Sequence, residues 1–200
     1  AFIVTFLVAM VSVVFFFGWE HVTNYFSAKI NGKDADYYLK KEWIVSEYGL
    51  PILQVETPEV LVRDLVTSKN PNIKNIAQFS WQKPEDKLAI SVQTIAYKDS
   101  VKVNLKQLFN DELGQLMQEQ AKKIQTTAKK FKNVKALSGD VLEGTFEINE
   151  GNETKKMRFF TVFISDSYGL QTVRITHDAK DKLAKDFIDR VTNSLEQVNQ

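Results

Sequence analysis

The order of apolar and polar residues divides the chain into an apolar first stretch and a longer mixed remainder. The first stretch, Ala1 to Trp19, contains no charged residue. At the helical rise of about 1.5 Å per residue, such a run covers roughly 28 Å, close to the hydrocarbon thickness of a bilayer. Every face of this helix would be apolar, which is typical of a helix surrounded by lipid. The pattern therefore predicts an N-terminal transmembrane helix over residues 1–19.

Aromatic residues end this apolar stretch and supply the predicted anchor residues. Phe15, Phe16, Phe17 and Trp19 close the run, and tryptophan is enriched where membranes meet water. A cleaved signal peptide is one alternative, but its apolar core spans only about 7–15 residues and small residues follow it. A helix buried in a globular core is the other alternative. The length of the run and its lack of charge favour a retained anchor.

An anchor predicts a single-pass membrane protein, with a juxtamembrane connector over residues 20–47 and an α+β soluble domain over residues 48–200. Within the connector, Asp34 begins a stretch that can form a short helix. Basic and acidic residues are mixed on this flank, so the positive-inside rule does not fix the orientation. We expect the soluble domain on the extracytoplasmic side, in a periplasm, an organelle lumen or an intermembrane space.

From Tyr48 onward the pattern is mostly that of β-strands. Residues 76–82 and 87–97 flank a short polar stretch and predict a hairpin. Within the second strand, apolar and polar or small side chains alternate, which is typical of a sheet with one covered face. Three further strand candidates, at 141–149, 155–165 and 170–176, are joined by short turns. Such connections predict antiparallel neighbours in a meander.

Two long amphipathic helices complete the predicted domain. The first runs from Leu105 to Phe131 with Asn104 as its cap, because apolar residues recur there at spacings of three and four. The second runs from Asp178 to about Val198. The predicted fold class is therefore α+β, an antiparallel sheet with two long amphipathic helices packed on it, preceded by a single N-terminal transmembrane helix.

A run of lysines accompanies the second half of the first predicted helix. Its members form a candidate interaction patch: Lys122, Lys123, Lys129, Lys130, Lys132 and Lys135. Part of this charge is explained by the helix dipole, which favours cations near a helix C-terminus. The patch could instead bind anionic lipid head groups or an acidic partner surface. The acidic strand that follows offers a third explanation, in which the two sets of charges pair within the fold.

Composition excludes several classes of function. Lysine and arginine number 26 against 25 aspartate and glutamate, so nucleic-acid binding is not indicated. Cysteine is absent, which excludes disulfides, iron–sulfur clusters and Cys-ligated zinc. No phosphate-binding loop, dinucleotide-binding motif, nucleophile elbow or zinc-protease motif occurs. We therefore expect no catalytic residues, no cofactor and no enzymatic activity.

Histidine is the remaining candidate for chemistry, and the chain has two. His21 follows the apolar run closely, where an interfacial polar residue is expected. His177 stands near Asp178 and Asp181, so a metal site with oxygen and nitrogen ligands is conceivable. A lone histidine at the start of a helix is more commonly a surface residue. We therefore predict no metal site.

Three segments carry a resemblance to a known family. They are YGLPILQVETPEV at residues 48–60, KLAISVQTIAYKDSVKVNLKQLF at 87–109, and YGLQTVRITHDAKDKLAKDFIDRVTNSLE at 168–196. Their layout resembles the PsbP-like group, which includes extrinsic photosystem proteins and bacterial lipoproteins of the DcrB type. The resemblance covers Tyr48 to Glu196. It implies a non-catalytic accessory domain that binds or stabilises a larger membrane complex.

Two functions follow from these observations. The first is a membrane-anchored accessory subunit or assembly factor that docks on other membrane proteins of a larger complex, with the lipid bilayer as a second partner. The second is a membrane-tethered protein that binds a small molecule or lipid. Docking predicts an exposed apolar or charged patch, whereas ligand binding predicts an enclosed apolar pocket of several hundred Å³. Retention of the anchor favours the first function.

Overall fold

The computed structural model describes residues 32–81, 87–150 and 153–198. Its helices are α1 (Ala35–Leu39), α2 (Leu105–Gln118) and α3 (Ala184–Ser194). Its strands are β1 (Ile44–Tyr48), β2 (Leu53–Thr57), β3 (Val62–Asp64), β4 (Ile73–Trp81), β5 (Leu88–Tyr97), β6 (Lys122–Lys132), β7 (Ser138–Glu150), β8 (Glu153–Ser165), β9 (Gly169–Asp178) and β10 (Glu196–Gln197).

Seven strands form one antiparallel sheet in the order β3-β4-β5-β9-β8-β7-β6. The register places four valines opposite one another across its centre: Val92, Val173, Val162 and Val141. All four side chains are fully buried. The predicted hairpin and meander are thus present as β4–β5 and β7–β8–β9, because alternating apolar residues bury one face of each strand.

One face of this sheet carries the larger hydrophobic core. A small sheet of β1, β2 and β10 packs there together with α1 and α3. The helix α1 lies within the predicted connector, and Asp34 caps it by accepting a hydrogen bond from the backbone N–H of Tyr37. Ala35 and Tyr38 of α1 are fully buried in this core. Phe187 and Val191 of α3 are buried beside them.

The opposite face carries a second core beneath α2. Leu116 of α2 is fully buried against apolar side chains of the meander, including Leu142, Phe159 and Phe163. Asn104 caps the helix as predicted, because its side chain accepts a hydrogen bond from the backbone N–H of Gln107. The described chain therefore has three layers, with the seven-stranded sheet in the middle.

The predicted fold class is wrong in its helices. The helix predicted from Leu105 to Phe131 ends at Gln118, and most of its second half is the strand β6. The turn between them contains Gln120 with a φ of 65°, a left-handed conformation that ends a helix. The described residues are mostly antiparallel sheet, and α1, α2 and α3 have only 5, 14 and 11 residues.

The closing helix is also shorter than predicted. Asp178 belongs to the end of β9, and α3 begins only at Ala184. Asp181 acts before the helix, where its carboxylate accepts hydrogen bonds from the backbone N–H groups of Leu183 and Ala35. The last predicted turn is extended instead, because β10 pairs with β2.

No helix in residues 32–81, 87–150 and 153–198 has both the length and the apolar character needed to cross a membrane. This finding contradicts the predicted single-pass transmembrane protein and its membrane localisation. The segment from which they came, residues 1–19 with Phe15, Phe16, Phe17 and Trp19, lies outside the described residues.

Candidate functional site

A cleft lies on the face of the large sheet that carries α3. Its volume is about 640 Å³. The helix α3 and the segment that leads into it form one wall, and β6, β7, β8 and the end of β9 form the floor. The cleft exists because α3 covers only part of this face, so that the outer strands remain accessible beside it.

Strand register brings polar side chains together on the floor of the cleft. Arg158 of β8 lies opposite Thr145 of β7 on one side and opposite His177 of β9 on the other. Two residues further along, Phe160 lies opposite Glu143. Since side chains alternate between the faces of a strand, all five residues point to the α3 face. A row of polar groups therefore crosses three strands beside an aromatic ring.

The wall adds five charged residues and one apolar side chain to the cleft. Lys180, Asp181 and Lys182 come from the segment between β9 and α3. On the exposed side of the first helical turns, Lys185 and Asp189 form an ion pair of 3.2 Å, with Ile188 between them in sequence. The cleft thus combines charged groups with apolar surface from Ile188 and Phe160.

The charges in the cleft are not balanced by local pairing. Its three acidic residues are engaged: Glu143 with Lys129 at 2.8 Å, Asp189 with Lys185, and Asp181 with two backbone N–H groups. In contrast, the side chains of Arg158, Lys180 and Lys182 form no ion pair or hydrogen bond with another described residue. With five cationic and three acidic side chains in its lining, the cleft therefore has an excess of positive charge.

His177 is the most buried polar group of the cleft, with only 5% of its surface exposed. Its Nδ1 lies 2.8 Å from the carbonyl oxygen of Asp178. A carbonyl can only accept, so Nδ1 carries the proton and Nε2 of the neutral ring carries a lone pair. Nε2 has no described partner. Among the described residues, Trp81 Nε1 is the one side-chain polar atom that is both fully enclosed and without a partner. Nε2 of His177 is therefore accessible from the cleft.

Burial lowers the pKa of His177 below its ordinary value of 6.5. The hydrogen bond to Asp178 and the charge of Asp181 oppose this effect, whereas the positive charge of Arg158 adds to it. The ring is therefore neutral at pH 7. Its Nε2 can accept a hydrogen bond, or take up a proton when an anion lies nearby.

A second exposed surface lies at the β3 edge of the large sheet, separated from the nearest floor strand of the cleft, β9, by β4 and β5. Val60, Val62 and Leu65 are exposed there, with 72% of Val62 accessible. No described strand pairs with the outer side of β3. We call residues 60–65 the β3 edge.

Comparisons with known proteins identify no family. No family model matches the chain, and no curated protein matches it. Among solved structures, the chain is similar to LpqN, described as involved in cell envelope biogenesis of Mycobacterium tuberculosis. The two chains are 11% identical, and the alignment covers 80% of this chain and 94% of that one with a TM-score of 0.42. A likeness this distant carries no argument about function.

The predicted lysine patch lies on the other edge of the large sheet. Four of its six lysines pair with acidic residues: Lys123 with Glu147, Lys129 with Glu143, Lys130 with Asp140, and Lys135 with Glu196. Three of those four acids belong to β7, so the pairing of the two charge sets within the fold is present. Lysine on an edge strand also prevents pairing with other chains. The proposed role of the patch as an interaction surface stays a prediction.

The conceivable metal site at His177 is not assembled. Asp178 Oδ1 accepts a hydrogen bond of 2.8 Å from the backbone N–H of Lys180, and Asp181 binds two backbone groups. Among the described residues, no group of three or more His, Asp or Glu side chains could hold a metal ion. His21 lies outside the described residues.

One buried charged pair was missed by reasoning from the sequence. Glu112 of α2 is 5% exposed and forms an ion pair with Arg174 of β9, with 2.7 Å between Oε1 and Nε. Thr161 donates a hydrogen bond of 2.9 Å to the same carboxylate. A signal was available, because Glu112 stands four residues from Leu108 and Leu116 within the apolar stripe of α2. The pair lies beneath α2, on the face opposite the cleft.

Proposed function

We propose that this chain is a non-catalytic accessory protein that docks on a partner protein through the β3 edge. The resemblance to the PsbP-like group supports an accessory role, and that resemblance itself stays a prediction. The observation that carries the proposal is the contrast between the two edges of the large sheet. The cleft beside α3 is open and lined by charged groups, so it does not match the enclosed apolar pocket expected of a binding protein for an apolar ligand or lipid.

The two edges differ in the features that prevent strand addition. On β6, five of the eleven residues are lysine, and nearly all of its side chains are exposed. Edge lysines oppose pairing because a second strand would have to bury their charges. The β3 edge has no lysine and exposes Val60, Val62 and Leu65. An edge without lysine and with exposed branched side chains favours the addition of a strand from another protein more than β6 does.

The charges around the β3 edge indicate the chemistry of the partner segment. Arg63, Lys69 and Lys74 are exposed and form no ion pair with a described residue. The carboxylate of Asp64 is engaged, because it accepts hydrogen bonds from Gln78 and Ser80. The surface is therefore apolar with a positive surround. It is complementary to an extended segment in which apolar residues alternate with acidic ones.

Affinity capture with a lysine substitution tests this proposal. The substitution Val62→Lys places a lysine on the β3 edge, as on β6. We expect capture of the partner from cells that produce the protein to fall at least about tenfold, because a central apolar contact is lost. Val134→Lys is the matched control, because Val134 is 79% exposed in a loop away from this edge. The control retains capture, and both variants unfold at the wild-type temperature.

Hydrogen exchange then establishes the mode of binding. With the captured protein purified and added back, the backbone amides of residues 62–64 become protected, because a new ladder of hydrogen bonds forms along β3. Equal capture by Val62→Lys and Val134→Lys contradicts the proposal. So does concentration-dependent self-association of the wild-type chain that Val62→Lys abolishes, since the edge would then belong to a second copy.

A further inference from the structure

We infer that the cleft beside α3 binds a small phosphorylated molecule, with its phosphoryl group held by Arg158 and Nε2 of His177. This inference goes beyond the docking function, because it concerns another part of the large sheet and a different kind of ligand. It rests on the cavity, on its unbalanced charge, and on Nε2 of the buried His177, which has no described partner.

The size and lining of the cleft limit the ligand to a metabolite-sized molecule. A volume of about 640 Å³ lies within the range of pockets that bind small molecules. Phe160 and Ile188 line the cleft and provide apolar contacts. The ligand therefore has an apolar or aromatic body attached to its charged group.

The charge of the cleft selects an anion. The lining has five cationic side chains, including Arg158, Lys180 and Lys182, against three acidic ones, so two positive charges remain in excess. A phosphate monoester carries about 1.5 to 2 negative charges at pH 7, and guanidinium groups bind phosphate through paired hydrogen bonds. A carboxylate would neutralise less of this charge. The phosphoryl group therefore fits the cleft better.

His177 makes the site sensitive to protonation. Arg158 faces the ring from β8, and Asp178 faces it from the end of β9. Asp181 faces it from the segment that follows β9. The other charges of the cleft come from four lysines, Glu143 and Asp189. In the empty cleft, burial keeps the ring neutral. A bound phosphoryl group favours the imidazolium, which donates from Nε2 to a phosphate oxygen. Binding therefore takes up a proton and raises the pKa of His177.

Proton NMR of the two histidines in the 200-residue chain tests this inference. His177→Gln assigns the Cε1–H signal of His177, since His21 is the other histidine. Phenyl phosphate is the probe, inorganic phosphate lacks the apolar body, and phenol lacks the anion. We expect phenyl phosphate to saturate the site and to raise the pKa of His177 by about 1–3 units, the effect of a nearby opposite charge. Inorganic phosphate binds more weakly, and phenol leaves the pKa unchanged.

Two arginine variants separate a specific site from general attraction. Arg158→Gln weakens phenyl phosphate binding at least about tenfold, as expected for loss of a charge-assisted hydrogen bond. Arg63→Gln removes an equally exposed arginine at the distant β3 edge and leaves affinity unchanged. Equal losses in the two variants overturn the inference. An unchanged His177 pKa at saturating phenyl phosphate, or equal binding of phenol, also overturns it, whatever the outcome at the β3 edge.

Discussion

The side chains of Glu112 and Arg174 illustrate how one buried contact positions a helix. Two hydrogen-bonded contacts join them, with 2.7 Å between Nε and Oε1 and 3.0 Å between Nη2 and Oε2. Burial alone would lower the pKa of Arg174, but the charges of Glu112 and Glu119 outweigh burial and raise it. Arg174 therefore stays charged, and the pair joins α2 to the sheet.

Removing one member of this pair leaves the other charge buried. We expect Glu112→Ala to lower the free energy of unfolding by about 3–5 kcal/mol, because Arg174 loses its main counter-charge inside the fold. Urea denaturation measures this change. Lys185→Ala, which breaks the exposed pair with Asp189, costs less than about 1 kcal/mol.

The double variant Glu112→Leu with Arg174→Met completes this test. Replacing both charges with apolar side chains removes the cost of burying them, so the double variant recovers most of the stability lost in Glu112→Ala. A loss in Glu112→Ala no larger than that in Lys185→Ala would show that water screens the pair in solution.

At the scale of elements, periodicity identified the strands that have one buried face. The predicted strand at residues 87–97 corresponds to β5, Leu88–Tyr97, in which Leu88, Ile90 and Val92 are buried. The three strands of the meander were also found, each within a few residues of its bounds. This success has a physical cause, because alternation of apolar and polar residues directly reflects burial of one sheet face.

The same reasoning failed at β6 because two of its apolar residues stand at a spacing that is typical of one helix face. Ile124 and Phe131 are seven residues apart, which places them on one face of a helix. In a strand this odd separation places them on opposite faces. Ile124 packs in the core beneath α2, and Phe131 packs in the core beneath α3. The β-branched Thr126 and Thr127 between them were the available sign of a strand.

The candidate cleft could not be predicted from local patterns. His177 was recognised as a candidate, but Arg158 is nineteen residues earlier and meets it only through the register of β8 with β9. Register depends on how three strands and two turns assemble, which no single segment encodes. The start of α3 was also mispredicted, because Asp178 and Asp181 are spaced as at a helix start. The helix begins only at Ala184, and residues 179–183 form part of the wall instead.

Two glycines, one with open space around it and one in close contact with a neighbouring strand, test the extent of α2 and the pairing of β6 with β7. Gly114 lies inside α2, and a Cβ added there would meet nothing within 4 Å. Gly114→Ala therefore stabilises the protein by about 0.5–1 kcal/mol, the usual gain within a helix. Gly144 of β7 is the contrast, because a Cβ there would lie 1.9 Å from the backbone oxygen of Gln125.

Gly144→Ala consequently destabilises the protein, since the backbone of β6 would have to move away from β7. Thermal unfolding compares the two variants, with a higher midpoint than wild type for Gly114→Ala and a lower one for Gly144→Ala. If Gly114→Ala lowered the midpoint, α2 would not extend through this position in solution.

For the whole molecule, the open sheet has two edges at which copies of the chain could join. Neither β3 nor β6 has a described strand on its outer side. A free edge exposes unpaired backbone groups that can pair with another chain. At β6, five lysines provide the protection, and three of them also form ion pairs with acidic residues of β7.

Replacing edge lysines therefore promotes self-association. In the double variant Lys130→Val with Lys132→Val, the β6 edge gains branched apolar residues and loses two charges, so strands from two copies can pair. We expect light scattering to show a mass that rises with concentration, unlike that of the wild-type chain. The double variant Lys102→Val with Lys106→Val has the same change in net charge at exposed positions away from both edges, and it behaves as wild type. Equal association of the two double variants would mean that net charge, and not the placement of lysine on β6, keeps the copies apart.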